Sequence, residues 1–135
     1  MLVVIDANVL CSALLAKGKT ADILFSDRIT AIAPELLLAE LERHKEELIA
    51  KSKLSDQEFV TALALFKRVV TIIPAREFAP YLVEANKLLG SHVKDTAYVA
   101  LALCYSCPLW SKEKFLRKIG KIEVLTTDEL AHRIS

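Results

Sequence analysis

Five short stretches read as strands, Leu2–Ile5, Ile29–Ala33, Val70–Ile73, Leu109–Trp110 and Ile122–Leu125; the first is apolar at every position, and helical patterning separates them. A β-branched run with no polar alternation is buried on both faces, as in a parallel sheet covered by helices on each side. Strands alternating with helices in this way predict an α/β fold: a three-layer α/β/α sandwich with a mostly parallel five-stranded sheet. The chain has 135 residues, 53% of them apolar and 26% charged, which suits a single domain over residues 1–135 with a sizeable core. Three Gly and four Pro leave little room for linkers.

Between the strands, Asn8–Lys17 reads as a helix closed by Gly18, and Thr20 as the cap of a second helix reaching Ser26. Pro34 opens a long helix through Lys51, where its missing N–H does no harm. Ser55-Asp-Gln-Glu58 has the form of a capping box, followed by apolar positions Phe59, Leu63, Phe66 and Val70. Ala79–Leu89, Lys94–Cys104 and Lys112–Ile119 read as further helices, with Gly90, Pro108 and Gly120 beyond their ends. Thr127 or Asp128 caps a terminal helix.

The formal net charge of +1 argues against a protein that coats nucleic acid by bulk charge. A local patch remains open, since residues 111–121 (SKEKFLRKIGK) carry five basic side chains against one acid. Such a run is either a solvated helix face or a contact surface. Cys11, Cys104 and Cys107 are too few for a disulfide scaffold. The lone Cys104-x-x-Cys107 pair lacks the second pair that a zinc site needs, and small buried thiols in a reducing cytoplasm are the expectation. The longest apolar run, Ala97–Trp110, is too short to span a bilayer and is broken by Ser106 and Pro108, so no membrane partner is expected. The N-terminus carries Asp6 and no basic leader.

The informative residues are acids. Asp6 ends the first strand, at the carboxyl edge where sites of parallel sheets open. Glu40 lies in the helix after the second strand among Leu36, Leu37, Leu38, Ala39 and Leu41, where an uncompensated carboxylate is expensive. His44, one turn on, is a candidate partner for it. Asp95 starts a helix, and Glu113 follows the fourth strand. Each has a purely structural reading: Asp6 as a cap, Asp95 and Glu113 as first-turn charges that suit a helix dipole. A single cause covers all four. Carboxylates gathered at one sheet edge repel, and a divalent cation relieves the repulsion. Oxygen ligands without an organised His or Cys set favour Mg²⁺ or Mn²⁺ over zinc.

In this order and spacing, the stretches VVIDANVLCSALL, APELLLAELERH, KDTAYVALAL and PLWSKEKFL resemble the PIN-domain nucleases, VapC-type toxins included, over nearly the whole chain. The family's first three acids match Asp6, Glu40 and Asp95, with Asn8 and Ser12 as frequent companions of the first. The family's fourth motif is Thr or Ser, one residue, then Asp; here it is Ser111-Lys112-Glu113, a Glu in place of the usual Asp. A second Thr-x-Asp, at Thr126, lies 31 residues after Asp95 rather than the 16 of Ser111, and the family spacing favours Ser111. Rival folds with Asp after the first strand fit less well. Position 8 is Asn where the haloacid dehalogenase pattern needs Asp, Pro74 and Thr126 stand where a receiver domain needs Asp and Lys, and there is no P-loop.

The resemblance implies a metal-dependent endoribonuclease, with Mg²⁺ or Mn²⁺ on Asp6, Glu40, Asp95 and Glu113 and with Asn8 and Ser111 supporting them. It also implies RNA as substrate, a small antitoxin as partner and a homodimer. Lys94, Lys112, Lys114, Arg117 and Lys118 lie beside the implied site and are candidates for RNA backbone contacts. Trp110, between apolar neighbours, reads as core rather than a stacking platform. The Glu at position 113 keeps a second reading open, a non-catalytic PIN-like module that binds RNA or protein.

Overall fold

The structure, a computed structural model, describes residues 1–15 and 18–135. Five strands form one sheet: β1 (Leu2–Ile5), β2 (Thr30–Pro34), β3 (Val70–Ile73), β4 (Leu109–Trp110) and β5 (Val124–Leu125), in the order β3-β2-β1-β4-β5. All four pairings are parallel, with Val4 opposite both Ile32 and Leu109, and Trp110 opposite Ile5 and Leu125. The expected α/β/α sandwich is the observed one. Val3 and Ile5 point into a core built with α1 (Ala7–Leu15), α2 (Lys19–Leu24), α3 (Leu36–Arg43), α4 (Lys45–Ser52), α5 (Asp56–Val69) and α9 (Thr127–Ile134). Val4 and Ile32 point the other way, against α6 (Ala75–Phe78), α7 (Leu82–Leu89) and α8 (Thr96–Tyr105). Alternation along a strand thus feeds two cores, one per face.

The topology fixes where a site can open. From β1 the chain steps outward to β2 and β3, then crosses back to place β4 on the other side of β1. The strand order reverses between β1 and β4, and the crevice beyond their carboxyl ends is where ligands of open α/β sheets bind. Asp6 directly follows β1, and Ser111 directly follows β4.

Several element boundaries differ from the sequence expectation. Pro34 closes β2 instead of opening a helix, and the long helix is two, α3 and α4, meeting at His44. Between Leu41 and Leu48 there is no apolar residue to hold a continuous stripe on the core, and each half packs through its own leucine. Thr20 lies inside α2 rather than capping it. The expected end of the first helix, Ala16 and Lys17, lies outside the described residues. Val70, the last apolar position of the helical spacing, starts β3 as expected, and α5 ends at Val69. Pro80 falls in a 3-10 turn (Ala79–Tyr81), so α7 begins at Leu82. The helix expected at Lys94 has a 3-10 turn at Val93–Asp95 and starts at Thr96, and the helix expected over Lys112–Ile119 is only a 3-10 turn, Lys114–Lys118. Ser55 and Glu58 do form the expected capping box. At the terminal helix the cap is Thr126, one residue before the expected position, because Thr126-x-x-Glu129 closes the same reciprocal pair.

Candidate functional site

Asp6 is only 5% exposed and its carboxylate has two jobs. Its Oδ1 accepts from the Val9 N–H at 2.9 Å, capping α1, and its Oδ2 accepts from the Ser111 hydroxyl at 2.5 Å. The capping reading of Asp6 is therefore correct without being the whole of it. Ser111, also buried, accepts in turn from the Glu113 N–H at 3.1 Å. The Asn8 amide donates to Glu113 Oε1 at 3.5 Å, and Lys112 Nζ donates to Ser12 Oγ at 2.8 Å. These bonds tie the segment after β4 to the first turns of α1, and keep Glu113 extended (φ −74°, ψ 108°) where a helix was expected. The extra methylene of Glu113 gives it the reach to Asn8.

Glu40 is half-buried on α3. Its partner is not His44, which lies 3.6 Å from Glu47, but Tyr98 of α8, whose hydroxyl donates to Glu40 Oε1. Tyr98 is a site residue that the sequence reading missed. The available signal was a phenol within the otherwise apolar stretch AYVALAL, three residues after Asp95, since a buried tyrosine hydroxyl usually finds a partner.

Asp95 stands at the N-terminal end of α8 but makes no side-chain cap bond. Its Oδ2 is, among the described residues, the buried side-chain polar atom left without any hydrogen-bond partner. Such an atom is costly in a folded protein and calls for a missing partner. Burial raises the Asp95 pKa; Lys94 opposes the rise, while the charges of Glu113, Asp6 and Glu40 add to it. Burial likewise raises the Asp6 pKa against the hydrogen bonds from Ser111 and Val9, and Glu113 and Glu40 again add to the rise. The charges of Glu40 and Glu113, from distant stretches, thus reach both Asp6 and Asp95.

The donors are all oxygens, and one of them is buried and orphaned. In chemical type this set suits a hard divalent cation. It is not a closed cage: among the described residues, no three His, Cys, Asp or Glu side chains are grouped closely enough to hold an ion as they stand. Asp6, Glu40 and Glu113 are each engaged by Ser111, Tyr98 and Asn8 instead.

Beside the acids lies a cleft of about 490 Å³, lined in part by Asn8, Ser12, Glu40, His44, Lys51 and Lys112. A larger groove of about 640 Å³ runs between α1, α2 and α5, past Leu14, Phe25, Leu65 and Phe66, and holds none of the four acids. Of the candidate RNA contacts, Lys112 sits at the cleft, Lys94, Lys114 and Lys118 are exposed, and Arg117 is paired with Glu129 at 2.7 Å. Trp110 is fully buried, as expected of a core residue. Cys11, Cys104 and Cys107 are unpaired thiols. No helix among the described residues is long and apolar enough to cross a membrane.

The family described as PIN domain matches residues 4–135. Three solved structures share the fold. VapBC2 from Rickettsia felis, bound to a DNA fragment from its promoter, has a TM-score of 0.70 at 18% identity, covering 93% of this chain and 98% of that one. A toxin–antitoxin complex from Klebsiella pneumoniae has a TM-score of 0.66 at 16% identity, covering 93% and 97%. VapBC-1 from nontypeable Haemophilus influenzae has a TM-score of 0.67 at 13% identity, covering 95% and 99%. No curated protein matches the chain.

Proposed function

The chain belongs to the PIN-domain family, and on that premise we propose that it is a Mg²⁺- or Mn²⁺-dependent endoribonuclease, the toxin of a toxin–antitoxin pair. The observation that carries the reading is the buried, unpartnered Oδ2 of Asp95, in a fold that sets Asp6 and Ser111 at the point where the strand order reverses. Asp6, Glu40 and Asp95 would hold the cation, with Glu113 supporting a second ion or a water. A divalent ion held by these carboxylates would supply charge to offset the scissile phosphate and a lowered pKa for the water that serves as nucleophile after losing a proton.

The chain's own residues do the rest. Ser111 fixes the rotamer of Asp6 from the neighbouring strand, so that carboxylate does not swing when substrate enters. Asn8 steadies Glu113. Lys112 at the cleft, with exposed Lys114 and Lys118 close in sequence and Lys94 next to Asp95, supplies positive charge for the RNA backbone. In the reaction, the water oxygen bonds to phosphorus, the bond to the leaving ribose oxygen breaks, and that oxygen takes up a proton. The neighbours in fold are described as toxin–antitoxin complexes, which supports a small antitoxin as partner here. A homodimer acting in the cytoplasm completes the proposal.

The test is cleavage of a mixed RNA pool. The purified protein should cut in Mn²⁺ or Mg²⁺ and lose that activity fully in excess EDTA, with recovery on adding metal back. Cleavage indifferent to the chelator would refute the metal-dependent reading. One observation favours a second reading, a non-catalytic binding module: the acids do not form a ready cage. Retention of RNA without cleavage in any divalent metal would select it.

A further inference from the structure

Tyr98 is 2% exposed on a helix whose buried face is otherwise Val99, Ala100, Leu101 and Ala102. A phenol there must bring its hydroxyl to a partner, and the partner is 58 residues away on another element, Glu40 of α3. Asp95 and Tyr98 are three positions apart, so they share one side of the same helical stretch. The hydroxyl bond is the one that the Glu40 carboxylate makes among the described residues, and it uses Oε1 only. Without it, a half-buried glutamate with three rotatable bonds would have no fixed place.

We propose that Tyr98 is the positioning residue of the metal site, pinning Glu40 through Oε1 beside Asp95 and leaving Oε2 as the oxygen available to a divalent cation. The inference rests on the metal-dependent reading above and adds a residue to it. A phenol has one O–H to donate, and here it is spent on Oε1. Outer partners of this kind fix ligand orientation, and their loss typically weakens metal binding about 10- to 100-fold.

The test is Mn²⁺ binding followed by the electron-spin resonance signal of free Mn²⁺, which needs no RNA. Tyr98→Phe keeps the ring in the core and removes only the hydroxyl. Its Kd for Mn²⁺ should rise about 10-fold, and raising Mn²⁺ should restore its RNA cleavage rate. Introduced into Glu40→Gln, Tyr98→Phe should change the Kd no further, because the residue acts through Glu40. Equal Kd values for wild type and Tyr98→Phe would overturn the inference while leaving the metal reading intact. So would the same weakening in the Glu40→Gln background, which would mark a general loss of packing. A wild-type protein that binds no Mn²⁺ would overturn both.

Discussion

Replacing Asp6 by Asn should remove the proposed metal-dependent RNA cleavage and at the same time make the metal-free protein more stable. Cleavage should fall by more than about 100-fold, the upper end of what losing an outer partner of a metal ligand costs. The second effect separates a cation site from a structural acid. Asp6 is buried, its pKa is raised by that burial, and the charges of Glu113 and Glu40 add to the rise. A carboxyl whose pKa is raised in the folded state stabilises the fold at low pH, and this contribution is lost as pH rises through the raised value. At neutral pH the ionised group therefore weakens the metal-free protein. Asn keeps an oxygen for the Val9 N–H and carries no charge; losing the acceptor of the Ser111 hydroxyl offsets part of that gain, and Tm should still increase by about 3 °C. The gap between variant and wild type should widen from acid to neutral pH and close when Mn²⁺ saturates the wild type. Thermal melts of both proteins across pH, with and without Mn²⁺, check this. A stability gap between the two proteins that changes with neither pH nor Mn²⁺ would show that Asp6 serves the fold alone.

The second large effect lies one residue from the site. Trp110→Ala should destabilise the protein by about 3–5 kcal/mol, a large share of the roughly 5–15 kcal/mol typical of whole domains. Trp110 is fully buried, and its indole N–H donates to Thr127 Oγ1 at 3.0 Å. It is half of a two-residue strand paired on both sides, with Ile5 and with Leu125. Truncation leaves a cavity between β1 and β5 and frees β4 from the start of α9. Because Ser111 is the next residue, its bond to Asp6 should weaken as well, and activity should be lost below the unfolding temperature. Urea denaturation measures the stability change; a loss under about 1 kcal/mol would mean that the β4 region is held by other contacts.

What the sequence made legible follows from range. Strands β1 and β3 were readable to the residue, because each is a four-residue run rich in β-branched side chains and ended by Asp6 or Pro74. Asp6 stood out for the same reason, as a carboxylate at the end of a buried run. Ser55 and Glu58 were readable because a capping box is local. Glu40 could be recognised as unusual from its apolar neighbours, yet its partner could not. His44 is one turn away in sequence, whereas Tyr98 reaches Glu40 only after the sheet has brought α8 alongside α3. The helix expected from Pro34 failed because proline also suits the end of a strand, and sheet pairing with Ile73 decided between them. Glu113 was placed in a helix by pattern; it is extended, with a long-range bond from Asn8 and a local one to Ser111.

The central claim is that the acids at the β1/β4 crevice share a cation. Anomalous diffraction from crystals soaked in Mn²⁺ tests it directly. The account predicts one strong peak in contact with carboxylate oxygens of Asp6, Glu40 and Asp95, lost in Asp6→Asn. Peaks only elsewhere on the surface, with the three carboxylates still apart, would contradict it.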